Sequence, residues 1–314
     1  MLERNPALKG ILLASVTSIF WGVLAIFLKV AVKVINPYSI VWIRFLISFI
    51  MLSAWFLYTD PQKLRILIRP PILLLLGAFF LAVNFIGYMQ GVKYSGPENA
   101  QIIIQLGPIL LAAGGVIFFR ERLSIRQFAG FILAGAGLLL FYGDQYQHSL
   151  VTKTDYLVSV YYTVVAAIAW AIYGIFQKKL VRTWHPQQLN LVIYGLPILM
   201  LFPFIHMGDF SGLNFSMWMI VAFLALNTLI AYGAFAACLK YIDVNQASII
   251  VALNPIITFI SMALLSWLNV AWIQVENITL YGFIGAALVL AGAVLAVMPR
   301  KMHQELKKQK AFQR

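Results

Sequence analysis

The sequence predicts an all-α integral membrane protein of ten transmembrane helices, arranged as two inverted five-helix repeats with both termini in the cytoplasm. Composition is the first observation behind this prediction. Of 314 residues, 62% are hydrophobic and only 11% are charged, whereas soluble domains average about 25% charged residues. A bilayer accommodates such an apolar surface, because lipid solvates the side chains and each helix satisfies its own backbone groups.

The second observation is a series of ten apolar stretches. Each is close to the roughly 20 residues that a helix needs to cross about 30 Å of hydrocarbon. The predicted spans are 8–30, 38–58, 70–92, 98–119, 124–142, 155–178, 187–205, 216–239, 244–267 and 278–298.

The third observation is an internal repeat. Trp170 follows Trp21 at an offset of 149 residues, and Pro255 follows Pro108 at an offset of 147. Five spans per copy is an odd number, so the copies enter the membrane from opposite sides, an arrangement typical of transporters. The predicted units are a first repeat at 1–145, a second repeat at 146–298 with a short insertion near 268–275, and a basic cytoplasmic tail at 299–314.

Charge gives the orientation. With a cytoplasmic N-terminus, the inner loops carry ten basic residues and the outer loops carry four, which is the bias expected for cytoplasmic loops. Topology therefore explains most of the net charge of +13, and a nucleic-acid partner is not expected. Short loops and this charge bias predict a bacterial inner membrane.

No enzymatic site is expected. Cys238 is the single cysteine, and the four histidines are scattered over different loops, so the sequence offers no cluster of metal ligands. No cofactor or metal is therefore predicted. The expected partners are a small-molecule substrate and the lipid bilayer.

Polar, aromatic and proline residues near the middle of six spans are the candidates for a substrate site. Polar groups are costly in lipid and tend to face a cavity or another helix, and a proline can bend a helix by removing a backbone hydrogen bond. Each residue alone can instead serve helix packing, but the paired positions of the set favour a central cavity. The candidates are Trp21, Asn84, Tyr88, Gln101, Gln105, Pro108, Trp170, Asn227, Thr228, Tyr232, Asn254 and Pro255.

Arg44 is the one charged residue placed well inside a predicted span. An arginine about 9 Å from a helix end can extend its guanidinium to the headgroups. The alternatives are gating or a contact with a carboxylate, which is either that of a substrate or that of Glu98 at the start of the fourth span.

Small residues are frequent in the fifth and tenth spans, among them Gly137, Gly285 and Gly292. Small faces allow helices to approach closely. These faces are expected to serve packing, either within one chain or between the protomers of a homodimer.

A family resemblance follows from one long segment. The residues from Ala100 to Leu140 read AQIIIQLGPILLAAGGVIFFRERLSIRQFAGFILAGAGLLL. This segment resembles the EamA-type pattern of the drug/metabolite transporter superfamily: a mid-helix proline, a glutamate followed by leucine and serine, then a helix with spaced glycines. The second copy repeats the order with Pro255, Glu276 and Gly285.

The resemblance implies a ten-helix carrier with a cavity formed by spans 1, 3, 4, 6, 8 and 9. Members of this family mostly export amino acids, their analogues or other small metabolites and drugs. We therefore expect a secondary transporter of small zwitterionic or neutral amphiphilic compounds that works by alternating access. The alternatives are a non-transporting receptor or complex subunit and, less favoured, a membrane-embedded enzyme.

Overall fold

The computed structural model describes residues 6–120, 125–148, 151–268 and 279–297. Within these ranges all regular secondary structure is helical. The α-helices are α1 (Pro6–Ala31), α2 (Pro37–Thr59), α3 (Ile72–Ile103), α4 (Leu106–Phe119), α5 (Ile125–His148), α6 (Lys153–Leu180), α7 (Pro186–Leu201), α8 (Phe215–Tyr241), α9 (Val244–Val251), α10 (Asn254–Trp267) and α11 (Leu280–Val297). Short 3-10 helices occur at Pro61–Leu67, Phe202–Phe204 and Met207–Phe210.

Within the described ranges, seven helical segments are long and apolar enough to cross a membrane. They are Pro6–Ala31, Pro37–Thr59, Ile72–Phe119, Phe128–His148, Lys153–Leu180, Pro186–Phe204 and Phe215–Tyr241, and Leu280–Gly292 is a shorter apolar helix. The predicted tail at 299–314 and nearly all of the predicted insertion lie outside the described residues.

Helix starts follow from local sequence. Pro37 and Pro186 each occupy the first turn of a helix, where the missing N–H costs nothing. The side chain of Asn214 accepts a hydrogen bond from the backbone N–H of Met217 at 2.9 Å and so caps α8. Such a cap satisfies a backbone donor that the first turn leaves without a helical partner.

The helices of the two halves pack on equivalent partners. The long contact of α3 with α6 is matched by that of α1 with α8. The contact of α4 with α6 is matched by those of α9 and α10 with α1, while α2 packs against α7 and α5 against α11. The core therefore lies where the halves meet.

One residue, Gly96, separates the two arms of α3, at 72–95 and 97–103. Its φ is 81° and its ψ is 166°, a conformation that is essentially confined to glycine. The chain folds back there, since the hydroxyl of Tyr88 donates to the side-chain oxygen of Gln101 although a straight helix would separate the two residues by about 20 Å. The predicted spans end at 92 and resume at 98. The structure has its break inside this interval, but the break is a one-residue turn with helix on both sides.

We expect Gly96→Ala to lower the free energy of unfolding by about 1–3 kcal/mol, because a Cβ atom is strained at this φ and ψ. Gly143→Ala is the matched control, since a Cβ atom there meets nothing within 4 Å. Melting temperatures of the two purified variants in detergent measure the difference. Equal melting temperatures would show that the turn tolerates a side chain.

Two further breaks divide predicted spans. Ile104 and Gln105 separate α3 from α4, and Ala252 and Leu253 separate α9 from α10. The prolines were expected to bend continuous helices. Instead, Pro108 and Pro255 lie in the first turns after these breaks, where proline is well tolerated.

The connections gather at two ends of the bundle. At one end Gln188 donates to the carbonyl of Lys63 at 3.1 Å, so the α6–α7 and α2–α3 connections meet. At the other end Ser39 donates to the carboxylate of Asp209 at 2.6 Å, so the α1–α2 and α7–α8 connections meet. We call the first the basic end, which has the connections at 60–71, 181–185 and 242–243. We call the second the opposite end, which has the connections at 32–36 and 202–214 and the turn at Gly96.

Candidate functional site

A central cavity lies among helices of both halves. The centre of a water molecule can occupy about 70 Å³ of this cavity, which is room for a few waters. Its wall consists of Trp21, Leu24, Asn84, Tyr88, Gln101, Ile104, Gln105, Pro108, Trp170, Tyr232, Val251 and Asn254.

Aromatic rings form one part of this wall. Trp21 of α1 meets Trp170 of α6 edge-on, with ring centroids 5.7 Å apart. Tyr232 lies 4.9 Å from Trp21, and Phe235 lies 5.2 Å from Trp170 behind them. Offset and edge-on contacts of this kind stabilise aromatic pairs. The two tryptophans at equivalent repeat positions therefore meet beside the cavity.

Amides and phenols form the polar part. The side-chain N–H of Gln105 donates to the side-chain oxygen of Asn254 at 2.8 Å. This hydrogen bond links the α3–α4 break of the first half to the start of α10 in the second half. Asn84 donates to the carbonyl of Ala166 at 2.9 Å and accepts from the hydroxyl of Tyr232 at 3.5 Å.

Two buried polar atoms of the wall have no hydrogen-bond partner among the described residues. They are the indole N–H of Trp21, a donor, and the side-chain oxygen of Gln105, an acceptor. An unsatisfied buried polar atom costs about 1–3 kcal/mol. A ligand with one acceptor and one donor can recover that cost.

Three predicted residues are not part of the cavity wall. Asn227 donates to the carbonyl of Phe20 at 2.6 Å and so ties α8 to α1. Thr228 donates to the carbonyl of Leu224 at 2.9 Å within α8. Pro255 is the second residue of α10. The other nine of the twelve predicted residues line the cavity together.

Arg44 does not make the contact with the headgroups that was one of its expected roles. Its side chain does not reach the surface: the residue is 2% exposed. Its Nε–H donates to the hydroxyl of Thr228 at 3.0 Å, and its guanidinium lies 4.6 Å from the ring centre of Phe85. The arginine is therefore held between α3 and α8, on the inner face of α2.

Glu98 pairs with a different cation from the one considered. Its carboxylate lies 3.9 Å from the ammonium of Lys29, and no ion pair with Arg44 occurs in the part of the chain that the structure describes. The glutamate is buried. This contact joins the end of α1 to the second arm of α3 at the opposite end.

Selecting candidates by their polarity missed the apolar residues of the cavity wall. Leu24, Ile104 and Val251 line the cavity but are ordinary residues for a transmembrane helix. A repeat alignment contains the signal for two of them, since Val251 follows Ile104 at the same offset of 147 that relates Pro108 to Pro255.

The seam between α5 and α11 uses the predicted small residues within one chain. A Cβ atom on Gly137 would lie 2.6 Å from the backbone nitrogen of Val289, and one on Gly292 would lie 2.3 Å from that of Ala134. These helices therefore touch backbone to backbone. The seam lies apart from the cavity, whose wall contains no residue of either helix.

Comparison with known proteins identifies the family. The model of the EamA-like transporter family matches residues 8–143 and 157–298. The protein named "Uncharacterized inner membrane transporter YhbE" of Escherichia coli (strain K12) is 32% identical over 302 residues, which is 95% of this chain and 94% of that protein. The "Probable amino-acid metabolite efflux pump" of Salmonella typhimurium (strain LT2) is 25% identical over 301 residues, 91% and 93% of the two chains.

One solved structure has a similar fold, with a TM-score of 0.66. The two chains are 20% identical, and the match covers 91% of this chain and 96% of the other, so the likeness concerns the fold only. The apolar helices agree with the membrane location of the relatives. The chain is an integral membrane protein that belongs to the EamA-like transporter family.

Proposed function

We propose that this chain is a secondary transporter that exports small zwitterionic or neutral amphiphilic metabolites, such as amino acids or drugs, by alternating access. The observation that best supports this proposal is the cavity between the halves, which the hydrogen bond from Gln105 to Asn254 bridges. Rocking one half against the other can open such a shared site to either face of the membrane.

Ten crossings in two inverted repeats, at 1–145 and 146–298, are part of this proposal. The segment 72–119 has 48 residues, about 72 Å of helix. That length exceeds twice the hydrocarbon thickness of about 30 Å, and the turn at Gly96 supports two crossings. In the second half, α9 and α10 together make one crossing. The equivalent packing partners of the two halves support the repeat.

The distribution of charge supports cytoplasmic termini in a bacterial inner membrane, with 299–314 as a cytoplasmic tail. Cytoplasmic loops carry an excess of Lys and Arg. The opposite end has Lys29, Lys33, Lys93 and Lys153. On the basic end or in the helix turns next to it are Lys9, Lys63, Arg65, Arg69, Arg120, Arg126, Lys178, Lys179, Arg182 and Lys240.

The cavity wall supports the substrate class. Amides, phenols and tryptophan rings line it, and such walls suit mostly apolar ligands with a few polar groups. The free indole N–H of Trp21 and the free oxygen of Gln105 offer one donor and one acceptor. The name of the Salmonella relative refers to efflux of amino-acid metabolites, which agrees with this chemistry.

Closures at both ends support alternating access. At the opposite end Lys29 pairs with Glu98. At the basic end Lys178, the repeat equivalent of Lys29, donates to the carbonyl oxygens of Leu239 at 2.9 Å and Ile242 at 2.7 Å. Equivalent lysines thus tie helices together at each end, Lys29 within the first repeat and Lys178 within the second. The small cavity between the two ends agrees with an occluded state.

Reconstitution in liposomes tests the proposal. We would measure uptake of a panel of labelled amino acids and amphiphilic metabolites, with and without a pH gradient. Saturable flux is expected for at least one compound, and Asn84→Ala is expected to lower it at least tenfold, because Asn84 ties α3 to α6 and α8 at the cavity. Gln147→Ala, an exposed amide on α5, is the matched control.

Two results would contradict the proposal. Flux that is unchanged in Asn84→Ala would place the path outside the cavity. Saturable binding of a compound without flux, in vesicles that hold folded protein, would favour the receptor or complex-subunit alternative.

A further inference from the structure

Arg44 is a buried cation that forms no ion pair with the residues that the structure describes. Its side chain is 2% exposed, and in the described residues no carboxylate lies within ion-pair distance of it. Its hydrogen bond to the described residues uses Nε alone, while a guanidinium has five N–H donors in a rigid fork. The four donors on the terminal nitrogens therefore have no acceptor in the described part of the chain.

The contacts that Arg44 does make compensate only part of its charge. The ring of Phe85 at 4.6 Å provides a cation–π contact, and Thr228 provides one neutral acceptor. Removing an ion from water costs more than a single neutral hydrogen bond returns, so buried charges are normally paired. An intramembrane cation in this situation marks a functional site by default.

The position of Arg44 connects it to the cavity. Thr228, which holds its Nε, lies one helical turn before Tyr232 on α8, and Tyr232 lines the cavity. Phe85 contacts both groups: its ring centre lies 4.6 Å from the guanidinium carbon and 5.1 Å from the ring centre of Tyr232. Arg44 therefore lies one side-chain layer behind the wall.

We propose that Arg44 binds the carboxylate of the transported compound, so that the substrate class is a small carboxylate-bearing amphiphile. This proposal rests on the transport function proposed above. The fork of the guanidinium matches the two oxygens of a carboxylate, and the aromatic wall of Trp21 and Trp170 takes the apolar part. The cavity must widen toward Phe85 for the contact to form, since its present volume holds only a few waters.

Matched ligand pairs test the proposal in the purified full-length protein. The probes are L-phenylalanine with L-phenylalaninamide and L-leucine with L-leucinamide, because each pair differs at the carboxylate. A ligand that binds the folded state raises the melting temperature with its concentration. We expect at least one acid to half-saturate this rise at a concentration at least tenfold lower than its amide does.

Three variants locate the effect. Arg44→Gln is expected to reduce the preference for acid over amide at least tenfold. Arg44→Lys keeps the charge without the fork, and is expected to keep part of the preference. Lys33→Gln, an exposed cation at the opposite end, removes the same charge and is expected to leave the preference intact.

The melting temperature of the ligand-free variant separates binding from a structural role. Without ligand, Arg44→Gln is expected to melt at the same temperature as the wild type or higher, because it removes an uncompensated buried charge. A marked fall, amides that bind as well as acids, or no binding by either acid would overturn the proposal. Arg44-dependent acid binding without flux would instead overturn the transport function alone.

Discussion

Replacing Gly137 by alanine is expected to destabilise the protein by about 3 kcal/mol, the upper end of the usual cost of overpacking. The new Cβ atom would lie 2.6 Å from the backbone nitrogen of Val289 and 2.7 Å from the carbonyl oxygen of Gly285. Both atoms belong to backbone, so no side chain can rotate away. Relief requires α5 and α11 to separate along their seam.

Gly135 on the same helix is the matched control. A Cβ atom there meets nothing within 4 Å, so Gly135→Ala is expected to be stabilising by about 0.5–1 kcal/mol through the lower backbone entropy of alanine. Thermal unfolding of both variants in the same detergent gives the comparison. If the two variants melt together, the close contact of α5 with α11 is not present in the protein.

Removing either partner of the bridge between Gln105 and Asn254 is expected to have the largest effect on transport. The donor and acceptor are 2.8 Å apart and both residues are buried. Truncating one leaves the other unpaired at a cost of about 1–3 kcal/mol, and about 1.4 kcal/mol corresponds to a tenfold change. We expect Gln105→Ala and Asn254→Ala each to reduce flux at least tenfold.

The double variant distinguishes a shared role from two separate ones. If the two amides act through their mutual hydrogen bond, Gln105→Ala/Asn254→Ala reduces flux no further than the more severe single variant, and the cycle shows a coupling energy. Additive losses would mean that each amide acts alone. Gln147→Ala again controls for the loss of an amide from the chain.

The apolar stretches were predictable because hydrophobic length is a property of a local window. The predicted span 38–58, for example, lies within α2. Backbone breaks were not predictable in this way. Hydropathy averages over about 20 residues, so the interruptions at 104–105 and 252–253 disappear inside spans 98–119 and 244–267. The predicted spans leave five residues, 93–97, between two helices, because a connection of that length is ordinary. A connection of one residue, as at Gly96, is not.

The candidate site, likewise, was predictable from the sequence only in part. Buried amides such as Gln105 and Asn254 stand out in an apolar sequence, and the structure brings them together. Asn227 stands out equally but bonds to the carbonyl of Phe20, a distinction that depends on which way one helix faces. The burial of Arg44 depends on Thr228 and Phe85, which are far away in sequence.

The turn at Gly96 also constrains how the protein is made. Its two arms and α4 form one helical segment, 72–119, and the polar residues Lys93, Ser95, Glu98 and Asn99 mark the short connection between the two arms. A connection this short leaves almost no chain outside the membrane while the second arm is synthesised, and irregular backbone without hydrogen-bond partners is costly in lipid. We therefore expect the proposed third and fourth crossings to insert into the membrane together as a hairpin, with glycine at its tip. A side chain at position 96 would therefore disturb insertion into the membrane, before the protein meets any substrate.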